Sequence, residues 1–156
     1  MASKEIESFR LRFEYELDRL VDTIADMDEA AANWKPSAPG VNSILVLVTH
    51  ALASAEDNVV RRAAGKTVVR DRDAEFAATG GTSHLIARAN EVRGRIADAL
   101  AGLDGRLDEE REATFGKWPA RWTVRDSLLH AVSHTAEHAG HAQLTRDPYK
   151  ARRGST

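Results

Sequence analysis

Four of the six histidines in the chain lie in "HAVSHTAEHAGHAQL", at His130, His134, His138 and His141. At about 100° per residue they fall within a strip of roughly 80°, so all four share one side of a helix. Four imidazoles from one helix would crowd a single ion. The apolar residues Val124, Leu128, Ala131 and Val132 centre to one side of that strip, and His134 and His138 lie nearer to them than His130 and His141 do. Side chains four apart are neighbours, about 5–6 Å between Cβ atoms, and two such imidazoles can each approach one ion at roughly 2.0–2.1 Å. A third ligand must come from another helix. His50, a polar residue inside the apolar "ILVLVTHALASA", is the obvious donor, whereas His84 reads as a first-turn surface residue.

A site of His50, His134 and His138 leaves at least one coordination position open, for a water acidified toward a pKa of about 7 or for a substrate oxygen or sulfur anion. Neutral imidazoles suit zinc, nickel, copper or iron alike. His130 and His141 read as outer hydrogen-bonding partners or as surface residues at the mouth of a pocket. Competing chemistries lack their residues. Neither Glu56 nor Glu137 has a histidine three positions on, as a di-iron carboxylate centre requires. The chain also contains no His-Glu-x-x-His, no G-x-S-x-G and no phosphate-binding glycine loop. Ser133, next to His134, faces the wrong way to pair with it as nucleophile and base. With no cysteine, thiolate nucleophiles, disulfides and sulfur-ligated metals are excluded.

Four segments have the periodicity to position these residues. Ile6, Phe9, Phe13, Leu17, Leu20, Val21 and Ile24 recur at three- and four-residue steps, predicting a first helix from about Lys4 to Met27. The loop "NWKPSAPGVN" follows, with Asn42 or Ser43 as cap of a second helix running to about Arg62. That helix is apolar nearly all round and should be the most enclosed of the bundle. A third is expected from an N-cap at Ser83 to about Leu103. The fourth should start at the capping pair Thr123 and Asp126 and end near Arg146, before Pro148. "TFGKWPARW" reads as a loop across one end, Trp34, Trp118 and Trp122 as core or pocket-rim anchors, and the charged 65–82 linker as a connector able to fold locally. In its Arg70–Phe76 part, Arg70 or Arg72 could pair with an acid or an anionic substrate. No strand alternation is apparent. The expectation is one all-α domain, a four-helix bundle over residues 1–146, with 147–156 as a mobile polar tail.

A formal net charge of −2 offers no footprint for nucleic acid. The N-terminus lacks a signal peptide's apolar region and no apolar run approaches a membrane span, so cytoplasmic residence without membrane attachment is expected.

Two stretches carry a family resemblance. "NWKPSAPGVNSILVLVTHALASAE" resembles a Trp-x-Pro loop followed by Asn-Ser-Ile and a helix-two histidine, and "WTVRDSLLHAVSHTAEHAGHAQLTRD" resembles the closing helix of the same family. Together they are similar to the DinB-like superfamily of metal-binding four-helix proteins. It includes thiol-dependent S-transferases and the metal-binding domain of mycothiol-dependent maleylpyruvate isomerase. The resemblance implies a crossover connection in the bundle, a homodimer, and a divalent metal such as zinc, nickel or iron on His50, His134 and His138. It also implies a low-molecular-weight thiol such as mycothiol or bacillithiol, activated for transfer to a small-molecule substrate. "HAGHAQ" departs from the commoner His-x-Gly-Gln, which leaves the role of His141 open. The alternatives are a metal-dependent hydrolase of a small substrate and a non-catalytic, stress-related metal-binding protein.

Overall fold

The computed structural model describes residues 2–111 and 122–153. Hydroxyl and carboxylate caps set where most of its helices begin. Ser3 accepts from the Ile6 amide to open α1 (Lys4–Ile24), Asp28 from Ala31 to open the short α2 (Glu29–Asn33), and Ser43 from Val46 to open α3 (Ile44–Glu56). The first helix therefore stops three residues short of the expected Met27. Of the two expected caps for the second long helix, Ser43 is the one used.

Only Thr49 and Ala53 of α3 escape full burial, which makes it the enclosed helix its composition demands. It continues as a π-helical segment, Asp57–Ala63, in which Ala64 donates to Val59, five residues back, at 3.0 Å. The Asp57 carboxylate takes both Arg61 and Arg62, four and five residues on, across this widened turn. The linker does fold locally, as α4 (Arg72–Phe76), opened by the Asp71 carboxylate accepting from Ala74.

The third long helix, α5 (Ser83–Ala101), has Ser83 as its first residue rather than its cap, and ends two residues before Leu103. The closing helix α6 spans Val124–Arg153. Its start is the expected capping pair: Thr123 Oγ1 accepts from the Asp126 amide at 3.2 Å, and Asp126 Oδ2 accepts from the Thr123 amide at 2.8 Å. Its end is a correction. The helix runs through Pro148 instead of stopping near Arg146, because Tyr149 is anchored on the core and meets Trp34 at 5.6 Å between ring centroids. A second correction is the two-residue antiparallel ladder of β1 (Glu110–Arg111) with β2 (Trp122–Thr123), which ties the chain just ahead of α6. Trp118 and most of the "TFGKWPARW" loop lie outside the described residues.

The four long helices form an all-α bundle in which α1 and α3 each pack against both α5 and α6. The pair α5 and α6, consecutive among the long helices, are thus diagonal, and the chain crosses the bundle between them. One core unites the layers, from Phe13, Leu17 and Leu20 of α1 through Leu45 and Leu52 of α3 to Ile96, Leu100 and Leu128. Glu56 is buried beside Ala55 and is met there by Arg88 and Arg95 of α5, so its charge is compensated where it enters the core.

Candidate metal centre

The tight packing of α3 on α6 brings His50 against the inner pair of the closing helix. Ring centroids are 5.2 Å apart for His50 and His134, 4.9 Å for His50 and His138, and 4.4 Å for His134 and His138. One nitrogen from each of the three rings can be chosen so that all lie within 4.8 Å of one another, a grouping able to hold a metal ion. The Nε2 atoms of His134 and His138 are 3.3 Å apart. Two nitrogens on one tetrahedral ion at 2.0–2.1 Å are separated by roughly 3.3–3.4 Å, so the pair is already at coordination spacing.

His50 is buried, 6 % exposed, and its Nδ1 is 2.7 Å from Glu75 Oε2. An acceptor there holds the proton on Nδ1 and leaves Nε2 as the free donor atom, the arrangement that raises the basicity of a ligating imidazole. Glu75 is fixed in turn by Arg70, whose Nε and Nη2 reach its two oxygens at 2.7 and 3.0 Å. Arg70 also lies 3.5 Å from Asp57 at the start of the π-helical segment. The chain Asp57–Arg70–Glu75–His50 thus runs from that segment through α4 to the site. Phe76 covers the His50 ring at 4.8 Å, and the Arg72 guanidinium sits 4.9 Å over Phe76.

Electrostatics favour neutral ligands. Burial pushes the imidazole of His134 down to about 3 and that of His138 to about 4, with neighbouring histidines adding to the shift. Burial also lowers His50, against the opposing pull of Glu75. Glu75 stays below the usual carboxylate range because the hydrogen bonds from Arg70 and His50 outweigh its burial. Three uncharged nitrogen donors, one of them oriented by a carboxylate, fit a divalent transition ion. The Nδ1 atoms of His134 and His138 are buried with no hydrogen-bond partner among the described residues, so His50 alone of the three is held by a carboxylate.

The outer histidines differ from each other. His130 is half-buried, 6.0 Å from the Trp122 ring and 5.6 Å from His134, and burial lowers its pKa. His141 is exposed and touches His138 edge-on at 5.7 Å. His84 is exposed and apart from the group, as expected. Trp122 is an anchor, its Nε1 donating to Ser127 Oγ at 2.7 Å. The residue that sequence reasoning missed is Glu75. The sequence did carry a signal for it, since Asp71 followed by Asp73 and Glu75 has the acid-rich start of a helix, and Arg70 was singled out as a cation seeking an acid.

Comparison with known proteins agrees with this fold. Residues 12–142 match the DinB superfamily, and the chain belongs to it. A crystal structure of a conserved protein from Enterococcus faecalis superposes with a TM-score of 0.73 at 17 % identity, covering 93 % of this chain and 96 % of that one. That likeness is one of fold. No curated protein matches the chain.

Proposed function

We propose that the protein is a metal-dependent transferase in which His50, His134 and His138 would hold a divalent ion whose Lewis acidity would activate a low-molecular-weight thiol for transfer to a small-molecule electrophile. The observation that carries this reading is the convergence of three neutral imidazoles from α3 and α6, with ligand atoms within 4.8 Å of one another and no protein carboxylate among them. Such an ion, when bound, supplies Lewis acidity that lowers the pKa of a coordinated thiol or water. The chain's own residues do the rest. Glu75 keeps the His50 Nε2 lone pair available, Arg70 keeps Glu75 ionised, and burial keeps His134 and His138 from taking protons in the physiological range.

Three histidines leave room for an exchangeable ligand, which supports catalysis over a purely structural ion. Elemental analysis of untagged protein purified without added metal tests the first step, and about one ion per chain is expected. Turnover of an electrophile that requires added thiol distinguishes transfer from hydrolysis by bound water. Metal uptake that raises the melting temperature with no turnover of either kind would assign a binding role instead. A homodimer is the assembly the family resemblance suggests. Among the described residues, no helix is long and apolar enough to cross a membrane.

A further inference from the structure

Beside the three histidines the surface opens into a cleft of about 510 Å³, within the ~300–1,000 Å³ typical of small-molecule sites. Its walls come from three places: Val41 and Asn42 of the loop before α3, Leu47 on α3, and His138, His141 and Leu144 on α6. Gly40, at a φ of +76°, makes the turn that brings Val41 and Asn42 to this wall, a conformation other residues adopt at a cost. His138 is common to the cleft and to the metal grouping, so a molecule seated here lies against one ligand of the ion.

We propose that this cleft binds the second substrate, and that this substrate is an uncharged, largely apolar small molecule with a single hydroxyl- or carbonyl-type polar group. No aspartate, glutamate, lysine or arginine lines the cleft among the described residues. Apart from the ion that His138 would help to hold, nothing in the cleft offers a counter-charge, so a charged ligand would shed hydration against the protein wall uncompensated. Leu144 is 72 % exposed, the more exposed of the two large apolar residues that α6 leaves in solvent, and it stands at this opening. The polar capacity of the cleft is small. The Thr145 hydroxyl is spent on the His141 carbonyl at 2.9 Å, leaving the Asn42 carboxamide, which makes no hydrogen bond among the described residues, and the His141 ring. One polar group on the ligand matches that supply. Assigning the occupant as the acceptor, not a charged thiol, rests on the proposed transfer reaction.

Binding is tested on the full chain with three isosteric probes, 2-phenylethanol, phenylacetate and 2-phenylethylammonium. Methyl NMR titration of metal-free protein is used, so that carboxylate ligation of an ion cannot contribute. The alcohol should shift the Val41, Leu47 and Leu144 methyls saturably and bind at least tenfold tighter than either ion. Leu144→Asp, at an exposed position, should weaken it at least tenfold, whereas Leu129→Asp, also on α6 but outside the cleft, should leave it unchanged. Equal binding of a charged probe, or wild-type affinity in L144D, overturns the proposal. Zinc uptake is measured on the same samples. Uptake without probe binding overturns the cleft and leaves the metal reading standing, and probe binding without uptake does the reverse.

Discussion

The smallest unit that decides the chemistry is the His50–Glu75 contact, because among the described residues it is the only carboxylate hydrogen bond made by any of the three convergent imidazoles. Alanine at His50 or at His138 removes one of three donors, and either variant should lose stoichiometric metal by elemental analysis while keeping its helical circular dichroism. Full retention in both would sink the assignment. Glu75→Ala removes the acceptor that orients His50, and losses of about 10- to 100-fold in metal affinity are typical of such partners. Glu75→Gln keeps the shape and one acceptor oxygen, so titration calorimetry should place it between wild type and E75A. If E75A bound zinc as tightly as wild type, Glu75 would be a structural partner of Arg70 alone.

Elements deliver these residues, and they differ in how far they could be read beforehand. Apolar stripes mark α1 from Ile6 to Ile24 and α5 from Leu85 to Leu100, α3 is apolar nearly all round, and α6 shows its stripe mainly from Val124 to Val132; the His50–His134–His138 grouping was legible because two of its members sit at i and i+4. The five-residue α4 is too short for any periodicity to emerge, and its place over His50 depends on Arg70 bridging Asp57 and Glu75 and on Glu75 reaching His50, 25 positions away in sequence. Pro148 misled for a different reason. Proline removes a helical hydrogen bond and usually ends the helix, but tertiary packing overrode that local preference here. The override is carried by Tyr149 against Trp34 and the core. Tyr149→Ala should therefore let the last turns of α6 fray. Hydrogen exchange at the amides of residues 149–151 is expected to accelerate, with protection at Leu128 and Ala131 unchanged. Unaltered exchange past Pro148 would show that the helix end needs no anchor.

At the scale of the whole molecule, the site couples folding to metal and to protons. The unfolded chain's histidines titrate near 6.5, whereas in the folded, metal-free protein burial holds His134 at about 3 and His138 at about 4. Between those limits the unfolded state binds more protons than the native one, so stability falls as pH falls. The contribution of the pair is fully present above about pH 6.5 and is lost progressively as pH drops toward 4 and then 3. Metal binding adds a second linkage, worth about 2.7 kcal/mol when free ion is a hundredfold above its Kd. Protons compete with an ion only when they can bind the same nitrogens in the native state. The depressed pKa values of His134 and His138 delay that competition well below the titration range of an exposed imidazole. Zinc should thus raise the melting temperature at pH 7.5, still raise it at pH 5.5, and cease to do so as pH falls through about 4. An exposed histidine cluster would lose the zinc effect near pH 6.5 instead. Calorimetric scans with and without zinc from pH 8 to 4 separate the two, and a zinc effect already gone at pH 6 would mean that the ion is not held by His50, His134 and His138.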